Sequence, residues 1–171
     1  MPLLYSVLYV LVLGVAAHFV GEALPDRWLR ADRFPCKGYA WEKNGKIYDR
    51  LRIRKWKDAM PDMSRVMKDM VPKRVGIAPT SEKMNILVRE TCRAELVHWG
   101  LCLLAPVIFF FWWNAIGVLL SLLVIFCNLP FIMIQRYNRP AFVSLAKRLE
   151  AREEKKRNAN LDSFGEHGGR T

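Results

Sequence analysis

The sequence predicts an all-α membrane protein, with about three transmembrane helices and amphipathic interfacial helices on the cytoplasmic side. Charged and apolar residues are segregated: the 36 residues from Trp99 to Ile134 carry no charged side chain, and the first 24 residues carry one. All 27 lysines and arginines lie in two blocks, residues 25–98 and 135–171. A soluble domain alternates apolar and polar residues at short period. The segregation therefore indicates a membrane protein and excludes a disordered chain or a secreted disulfide scaffold.

The first span is predicted at about residues 3–24. This stretch is long enough to cross a bilayer core once, which takes about 20 apolar residues. It lacks the basic start of a secretion signal. The polar residues 25–96 that follow are predicted to form a cytoplasmic interfacial segment. Within residues 39–57 aromatic and basic side chains are mixed, as is typical of segments that contact a membrane surface. The apolar set Tyr48, Leu51, Ile53 and Trp56 is expected along the headgroup layer.

The second and third spans are predicted at about residues 97–113 and 116–134. A single helix over the uncharged stretch would be about 54 Å long at 1.5 Å per residue. That length exceeds a bilayer core, so the stretch is interpreted as a hairpin. Trp112, Trp113, Asn114 and Gly117 mark its bend. Residues 82–98 are expected to be a helical lead-in to the second span. The tail, residues 135–171, is predicted to be cytoplasmic and disordered after about residue 158.

The basic residues predict the orientation of this single membrane domain, residues 1–171. Eighteen lie in residues 25–98 and nine in the tail, whereas the N-terminus and the bend have none. The positive-inside rule places both basic blocks in the cytoplasm. The protein is thus expected to be a multi-pass protein of the cell membrane, with its N-terminus outside. Since the basic residues flank spans, they do not indicate a nucleic-acid partner.

Three charged clusters are expected where the membrane meets the cytoplasm. The first is the run Arg54–Lys57, the second is residues 90–99, and the third is residues 135–140. If the second and third spans form a hairpin, the last two clusters lie side by side. Their arginines and lysines could bind a phosphate or stabilise an oxyanion, or they could simply anchor the chain on anionic lipid.

Glu95 and His98 are three residues apart and therefore share one face of a helix. A carboxylate bonded to an imidazole fixes its tautomer and raises its basicity, as a general base requires. In the alternative interpretation, Glu95 pairs with Arg93 or a tail arginine, and His98 caps the interface. Hard metal ligands are also present, namely Glu90, Glu95, His98, Asp58 and Asp62, but their spacing matches no metal motif and no metal ligand is predicted.

The same clusters carry a resemblance to a known family. The runs RKWKDAMPD at residues 54–62, ETCRAELVHW at 90–99 and NLPFIMIQRYNRP at 128–140 resemble the glycosyl-4,4'-diaponeurosporenoate acyltransferases of staphyloxanthin-type carotenoid biosynthesis. The similarity extends in order from about Pro25 to about Leu149, while the connector at residues 61–81 departs from it. The resemblance implies transfer of an activated fatty acyl group to a sugar hydroxyl of a lipid-borne glycoside.

The residue roles are inferred from side-chain chemistry. The catalytic set is His98 as general base, Glu95 to orient it, and Arg93 or Arg136 to stabilise the oxyanion. Arg54, Lys55 and Lys57 are expected to hold the phosphates of the donor. Tyr137 and Asn138 are expected to bond the sugar. The predicted substrate-binding set is completed by Glu90, Gln135 and Arg139.

The donor is predicted to be acyl-CoA or an acyl-carrier protein, with no bound cofactor. The expected partners are membrane lipids and the glycosylated lipid substrate. Two other functions stay open on the sequence. One is a non-catalytic lipid-binding membrane subunit, and the other is a metal-dependent lipid transferase or hydrolase.

Overall fold

The apolar stretches form long helices in the computed structural model. α1 spans Pro2–Glu22, a short α2 spans Ile53–Trp56, α3 spans Ser81–Leu104 and α4 spans Ala115–Gly168. The structure describes residues 1–57, residue 60 and residues 80–168, with side chains described through residue 161. Three helical stretches are long and apolar enough to cross a membrane: Pro2–Glu22, Ser81–Phe111 and Ala115–Leu161. The described residues include no β-strand. The predicted all-α class with three spanning helices is confirmed.

The amphipathic lead-in and the second apolar stretch form one continuous helix, α3. Its first turn is capped by Thr80, whose Oγ1 accepts a hydrogen bond from the backbone N–H of Lys83 at 3.3 Å, as N-cap threonines commonly do. The α-helix ends at Leu104 and continues as a 3₁₀ helix, Ala105–Phe111. Pro106 accounts for the change, because its ring displaces the preceding helical turn and it has no N–H to donate.

The chain reverses between the 3₁₀ helix and α4. Asn114 caps α4 there, since its Oδ1 accepts from the backbone N–H of Ile116 at 2.9 Å. Trp112 Nε1 donates to Ser6 Oγ at 3.0 Å, and the Tyr9 hydroxyl donates to the carbonyl of Leu104 at 2.8 Å. The bend and the N-terminal half of α1 therefore lie at one end of the molecule.

α4 is 54 residues long and contains Pro130 and Pro140. The sequence predicts that the third span ends at residue 134 and that the tail is disordered after about residue 158, whereas the backbone stays helical to Gly168. Residues 141–157 are rich in strong helix formers, which favours this continuation. Glu150 and Glu153 also accept hydrogen bonds from Asn85 and Ser81 of α3, which hold the extended part of α4 against its neighbour.

The segment between α1 and residue 57 folds back against α3 and α4 as short turns. Its 3₁₀ helices are Asp26–Trp28, Ala40–Glu42 and Lys46–Leu51, and α2 follows them. Tyr48 and Ile53 are buried against Ile134 of α4, so these two do not lie along a headgroup layer as the sequence predicts. Leu51 is more than half exposed. The segment thus covers one end of the helical hairpin, and residues 23–57 are called the capping segment below.

Candidate active site

Four charged side chains meet where the capping segment covers α3 and α4. Glu42, Glu95, Arg136 and Arg139 form this charged cluster, in which two guanidinium groups balance two carboxylates. Each of the four side chains is at most 8% exposed. Burying an unpaired charge costs several kcal/mol, so the alternating arrangement is what allows these groups to lie inside the protein.

Glu95 is the centre of the charged cluster. Its Oε1 accepts from Arg136 Nε at 2.6 Å and from Trp99 Nε1 at 3.4 Å. Its Oε2 accepts from Arg139 Nη2. Both oxygens of this carboxylate are therefore held by donors from the hairpin, as in the alternative interpretation in which Glu95 pairs with a tail arginine.

Arg139 ties three segments together. Its Nε donates to Thr91 Oγ1 at 3.0 Å and its Nη2 to the Thr91 carbonyl at 3.0 Å, both on α3. Its Nη1 donates to the carbonyl of Cys36 in the capping segment. This residue was predicted to bind substrate, and the structure shows it bonded to the protein's own backbone and side chains.

Glu42 holds Arg136 from the capping segment. Glu42 Oε1 accepts from Arg136 Nη1 at 2.7 Å and from the Tyr48 hydroxyl at 2.6 Å, while Oε2 accepts from the backbone N–H of Tyr39 at 2.7 Å. Burial raises the pKa of Glu42, but the hydrogen bonds from Tyr48, Arg136 and Tyr39 outweigh it and hold the pKa below its ordinary value. The guanidinium of Arg136 also lies over the Tyr39 ring, 4.8 Å from its centroid.

Sequence reasoning missed Glu42. A signal for it exists, since Glu42 is the one carboxylate between Asp32 and Asp49, in a stretch that also contains four basic residues. A single acid in such a basic stretch suggests a partner with a specific position. The identity of that partner could not be read from the sequence, because Glu42 and Arg136 are 94 positions apart.

His98 lies one turn farther along α3, toward the bend. Its Nδ1 is 2.7 Å from Asn128 Oδ1 of α4, and its ring stacks on Phe131 with centroids 4.7 Å apart. Asn128 Nδ2 donates to the carbonyl of Val124 at 2.8 Å, which fixes the amide with Oδ1 toward the imidazole. An acceptor opposite Nδ1 favours the proton there, and in the neutral imidazole the lone pair is then on Nε2. Asn128 thus does for His98 what the sequence assigns to Glu95.

The remaining predicted catalytic residue, Arg93, faces α1. Its Nε donates to the carbonyl of Gly21 at 3.0 Å, and its Nη1 donates to Glu90. Arg93 and Glu90 therefore lie where α3 packs against the end of α1, apart from the contacts that form the charged cluster.

The other predicted substrate-binding residues join α2 to α4. Arg54 Nε donates to the Tyr137 hydroxyl at 2.6 Å, and Lys57 Nζ donates to Asn138 Oδ1 at 3.2 Å. Lys55 is exposed. Gln135 is 2% exposed, and its Oε1 has no hydrogen-bond partner among the residues that the structure describes.

A cavity of about 1000 Å³ opens beside the charged cluster. Its walls come from the capping segment between Asp26 and Gly45, from α3 between Asn85 and Arg89, and from α4 between Arg136 and Glu150. Glu42, Arg136 and Arg139 reach into its lining. This volume lies at the upper end of the range of about 300–1000 Å³ that is usual for small-molecule sites.

The metal alternative gains no support from the described part of the chain. Within it, no three His, Cys, Asp or Glu side chains come together as metal ligands. Glu90 and Glu95, two of the candidate ligands, are paired with arginines. Asp58 and Asp62, which complete the candidate set, lie outside the described residues.

Comparison with known proteins adds a family to this geometry. Residues 25–148 match the family model described as CrtO, glycosyl-4,4'-diaponeurosporenoate acyltransferase. Proteins of that name from Staphylococcus aureus strains bovine RF122 / ET3-1 and N315 are each 31% identical over 153 residues, which cover 86% of this chain and 90% of the relative. The protein from strain MRSA252 is 28% identical over 149 residues. No solved structure matches the chain. The matched region contains the capping segment, α3 and the part of α4 that form the charged cluster and hold His98, and the chain belongs to the glycosyl-4,4'-diaponeurosporenoate acyltransferase family.

Proposed function

We propose that the protein transfers a fatty acyl group from a thioester donor to a sugar hydroxyl of a glycosylated lipid. Membership of the acyltransferase family over residues 25–148 carries this proposal. The relatives are named for a glycosylated carotenoid, glycosyl-4,4'-diaponeurosporenoate. A glycoside of this kind, with a polar sugar on a polyisoprenoid acid, is the acceptor that we propose for this chain.

His98 supplies the base for the transfer. The Asn128 contact places the imidazole lone pair on Nε2, which accepts the proton of the sugar hydroxyl as its oxygen attacks the thioester carbonyl. A carbon–oxygen ester bond forms and the carbon–sulfur bond breaks. The proton on Nε2 then passes to the departing thiolate, so that the products are the acylated glycolipid and a free thiol. General base catalysis of this kind contributes about 10²- to 10⁴-fold in rate.

Arg136 is the cation best suited to stabilise the oxyanion formed during the attack. It lines the cavity, and Glu42 and Glu95 fix the direction of its guanidinium. A donor that is already oriented stabilises developing charge without rearrangement during the reaction. Tyr137 and Asn138 follow it on α4, where a sugar at the membrane boundary can meet them.

The acceptor suits a site between membrane-spanning helices. We propose that the spans lie in the cell membrane, with the capping segment and the tail on the cytoplasmic side, because all 27 basic residues belong to the two sequence blocks 25–98 and 135–171. His98 and Asn128 then lie closer to the bilayer core than the charged cluster does. The sugar can approach from the boundary while the polyisoprenoid chain stays among the lipids.

The test is product formation in cells that make glycosyl-4,4'-diaponeurosporenoate but lack an acyltransferase for it. Expression of this chain should convert the glycoside to its fatty acyl ester, which mass spectrometry of extracted lipids detects by the added acyl mass. His98→Gln should abolish the ester while the protein stays in the membrane fraction. Cys127→Ala, a change at an exposed residue next to Asn128, is the matched control. An unmodified glycoside with the parent chain would overturn the proposal, whereas a normal yield from His98→Gln would remove His98 from the mechanism.

A further inference from the structure

The cavity beside the charged cluster has a basic lining. Seven lysine or arginine residues line it, against four aspartate or glutamate residues. Within this set several charges are already neutralised inside the protein. Arg136 and Arg139 belong to the charged cluster, and Arg30 forms a two-point pair with Asp32 at 3.1 and 3.0 Å.

Four cations of the lining remain. Lys37 and Lys43 come from the capping segment, Arg89 from α3 and Lys147 from α4. None of the four makes an ion pair with a residue in the described part of the chain. Two of the four lining carboxylates are ion-paired, Asp32 with Arg30 and Glu42 with Arg136, while Glu150 accepts a hydrogen bond from Asn85. With seven basic and four acidic residues in its lining, the cavity carries a net positive charge, and the four unpaired cations come from three separate segments.

The run that the sequence assigns to donor phosphates is placed differently. Arg54 bonds to Tyr137 and is 3.5 Å from Asp49, and Lys57 bonds to Asn138. Two of its three cations thus hold α2 against α4, and none of the three lines the cavity. A ligand with several phosphate groups would find four converging cations in the cavity, whereas Lys55 is the one cation of this run without a described side-chain partner.

We propose that the cavity binds the phosphate groups of a nucleotide-bearing acyl thioester of the coenzyme A class. Lys37, Lys43, Arg89 and Lys147 are the phosphate contacts. This inference rests on the proposed function, since it names the donor of that reaction. An acyl-carrier protein would present one phosphodiester on a large acidic surface, whereas cations that converge on a concave site suit several phosphates of one small molecule.

The rest of the cavity agrees with such a donor. Leu29, Val88, Val143 and Tyr39 supply apolar and aromatic surface, against which a pantetheine arm can lie. The arm then points past Arg136 toward His98. Glu95, which holds Arg136, lies three residues from His98 on α3, a rise of only about 4.5 Å. Phosphates in the cavity and a thioester carbonyl near His98 are therefore compatible with one extended donor.

The experiment measures binding of coenzyme A itself, without turnover. The full-length protein is purified into nanodiscs of zwitterionic phosphatidylcholine, and binding is followed by isothermal titration calorimetry. The double variant Lys43→Gln/Lys147→Gln should bind coenzyme A at least about tenfold more weakly, because two charge-assisted contacts are lost. The double variant Lys46→Gln/Arg148→Gln is the control. It removes two exposed charges from the same segments, outside the cavity lining, and should retain the parent affinity.

Three results would overturn the inference: no binding of coenzyme A, equal weakening by both double variants, or unchanged binding by the cavity variant. Nanodiscs that contain phosphatidylglycerol supply the lipid arm. If the cavity variant loses competition by this anionic headgroup but keeps its affinity for coenzyme A, the cavity is a lipid site and the inference fails.

Turnover measurements separate this inference from the proposed function. Acylation with a carrier-protein donor and no coenzyme A binding would leave the function standing, whereas cavity-dependent binding without acylation would leave the inference standing.

Discussion

At the scale of single residues, neighbouring side chains on one helix face have different partners. Glu95 and His98 share a face of α3, but Glu95 is held by Arg136 and Arg139 while His98 Nδ1 meets Asn128. A carboxylate partner would stabilise the imidazolium and raise the pKa of the base, whereas a neutral amide fixes the tautomer without adding charge. The amide therefore suits the role proposed for His98, a base that returns its proton to the leaving thiolate.

The Asn128 contact leads to a prediction about positioning. Asn128→Leu should lower kcat by about 10- to 100-fold and leave KM for the donor nearly unchanged, because the imidazole loses its orienting acceptor but stays in place. Asn128→Asp should restore part of kcat and move the acidic limb of the pH–rate profile upward, since a carboxylate favours the imidazolium. Cys127→Ala serves as the neighbouring control. A residue with only a packing role would give the same pH profile in all three variants.

The Glu42 carboxyl gives a prediction about stability and pH. Its pKa lies below its ordinary value of 4.5 because hydrogen bonds from Tyr48 and Arg136 outweigh burial. A carboxyl that binds its proton more weakly in the folded state stabilises the fold above its ordinary pKa, and this stabilisation is lost as the pH falls through the folded pKa. Glu42→Gln should therefore lower Tm in detergent by a constant amount between about pH 6 and 9. Below about pH 4.5 the difference from the parent should shrink.

Differential scanning fluorimetry over that pH range measures the Glu42 effect. Glu154→Gln is the matched control, because Glu154 is exposed on α4, and it should change Tm little at any pH. A Glu42→Gln difference that persists unchanged below pH 4 would contradict the assigned pKa shift.

At the scale of elements, polar contacts join α3 and α4 along the hairpin. They run from the end near Ser81 toward the bend. Successive pairs are Ser81 with Glu153, Asn85 with Glu150, Thr91 with Arg139, Glu95 with Arg136, and His98 with Asn128. Beyond His98 the contact becomes apolar, apart from the Cys102 thiol, which lies 4.0 Å from the Ile125 carbonyl. The antiparallel register thus places the charged region toward the Ser81 end and the contact of His98 with Asn128 nearer the bend.

The sequence predicts part of this register but not all of it. The hairpin follows from the uncharged stretch and its bend, so the proximity of residues 90–99 and 135–140 was predictable. The choice of partner was not, because Glu95 faces several arginines within reach and a rotation of either helix would exchange them. The buried positions of Tyr48 and Ile53 were also missed, since a short apolar set on a basic segment suits a membrane surface and a protein surface equally well.

The packing of α1 on α3 leads to a prediction about one glycine. A Cβ on Gly21 would lie 2.8 Å from Val97 Cγ2, closer than atoms tolerate, whereas a Cβ on Gly14 would meet nothing within 4 Å. Gly21→Ala should therefore destabilise the fold by about 1–3 kcal/mol through overpacking. Gly14→Ala should be neutral or stabilising by up to about 1 kcal/mol, since alanine is the better helix former.

The measurement for Gly21 is Tm in detergent, with Val97→Ala added as a second change. The double variant Gly21→Ala/Val97→Ala should recover stability relative to Gly21→Ala, because the clashing methyl is gone. Equal Tm values for the Gly14 and Gly21 variants would show that α1 does not pack on α3 as described.

At the scale of the whole molecule, the charge distribution and the fold both divide the molecule into an uncharged end and a basic end. The bend and the N-terminus carry no lysine or arginine, and the basic residues that the structure describes lie toward the opposite end. The lysines and arginines behind the net charge of +11 therefore have three separate roles. Most of them flank the spans, two are neutralised inside the charged cluster, and four line the cavity without a described ion-pair partner. The distribution of basic residues along the sequence predicts the first role, and only the tertiary structure distinguishes the other two.

The orientation that this distribution implies leads to a prediction about labelling in intact cells. Trp113 at the bend is 73% exposed, and Lys46 in the capping segment is exposed. In a chain that carries Cys127→Ala, which leaves the three buried cysteines, a membrane-impermeant maleimide should label Trp113→Cys on intact cells. Lys46→Cys should react only after the membrane is opened, because the positive-inside rule keeps the basic segment in the cytoplasm. Labelling of Lys46→Cys on intact cells, with Trp113→Cys protected, would reverse the orientation. It would place the cavity on the face where thioester donors are not made, and the proposed donor site would fall with it.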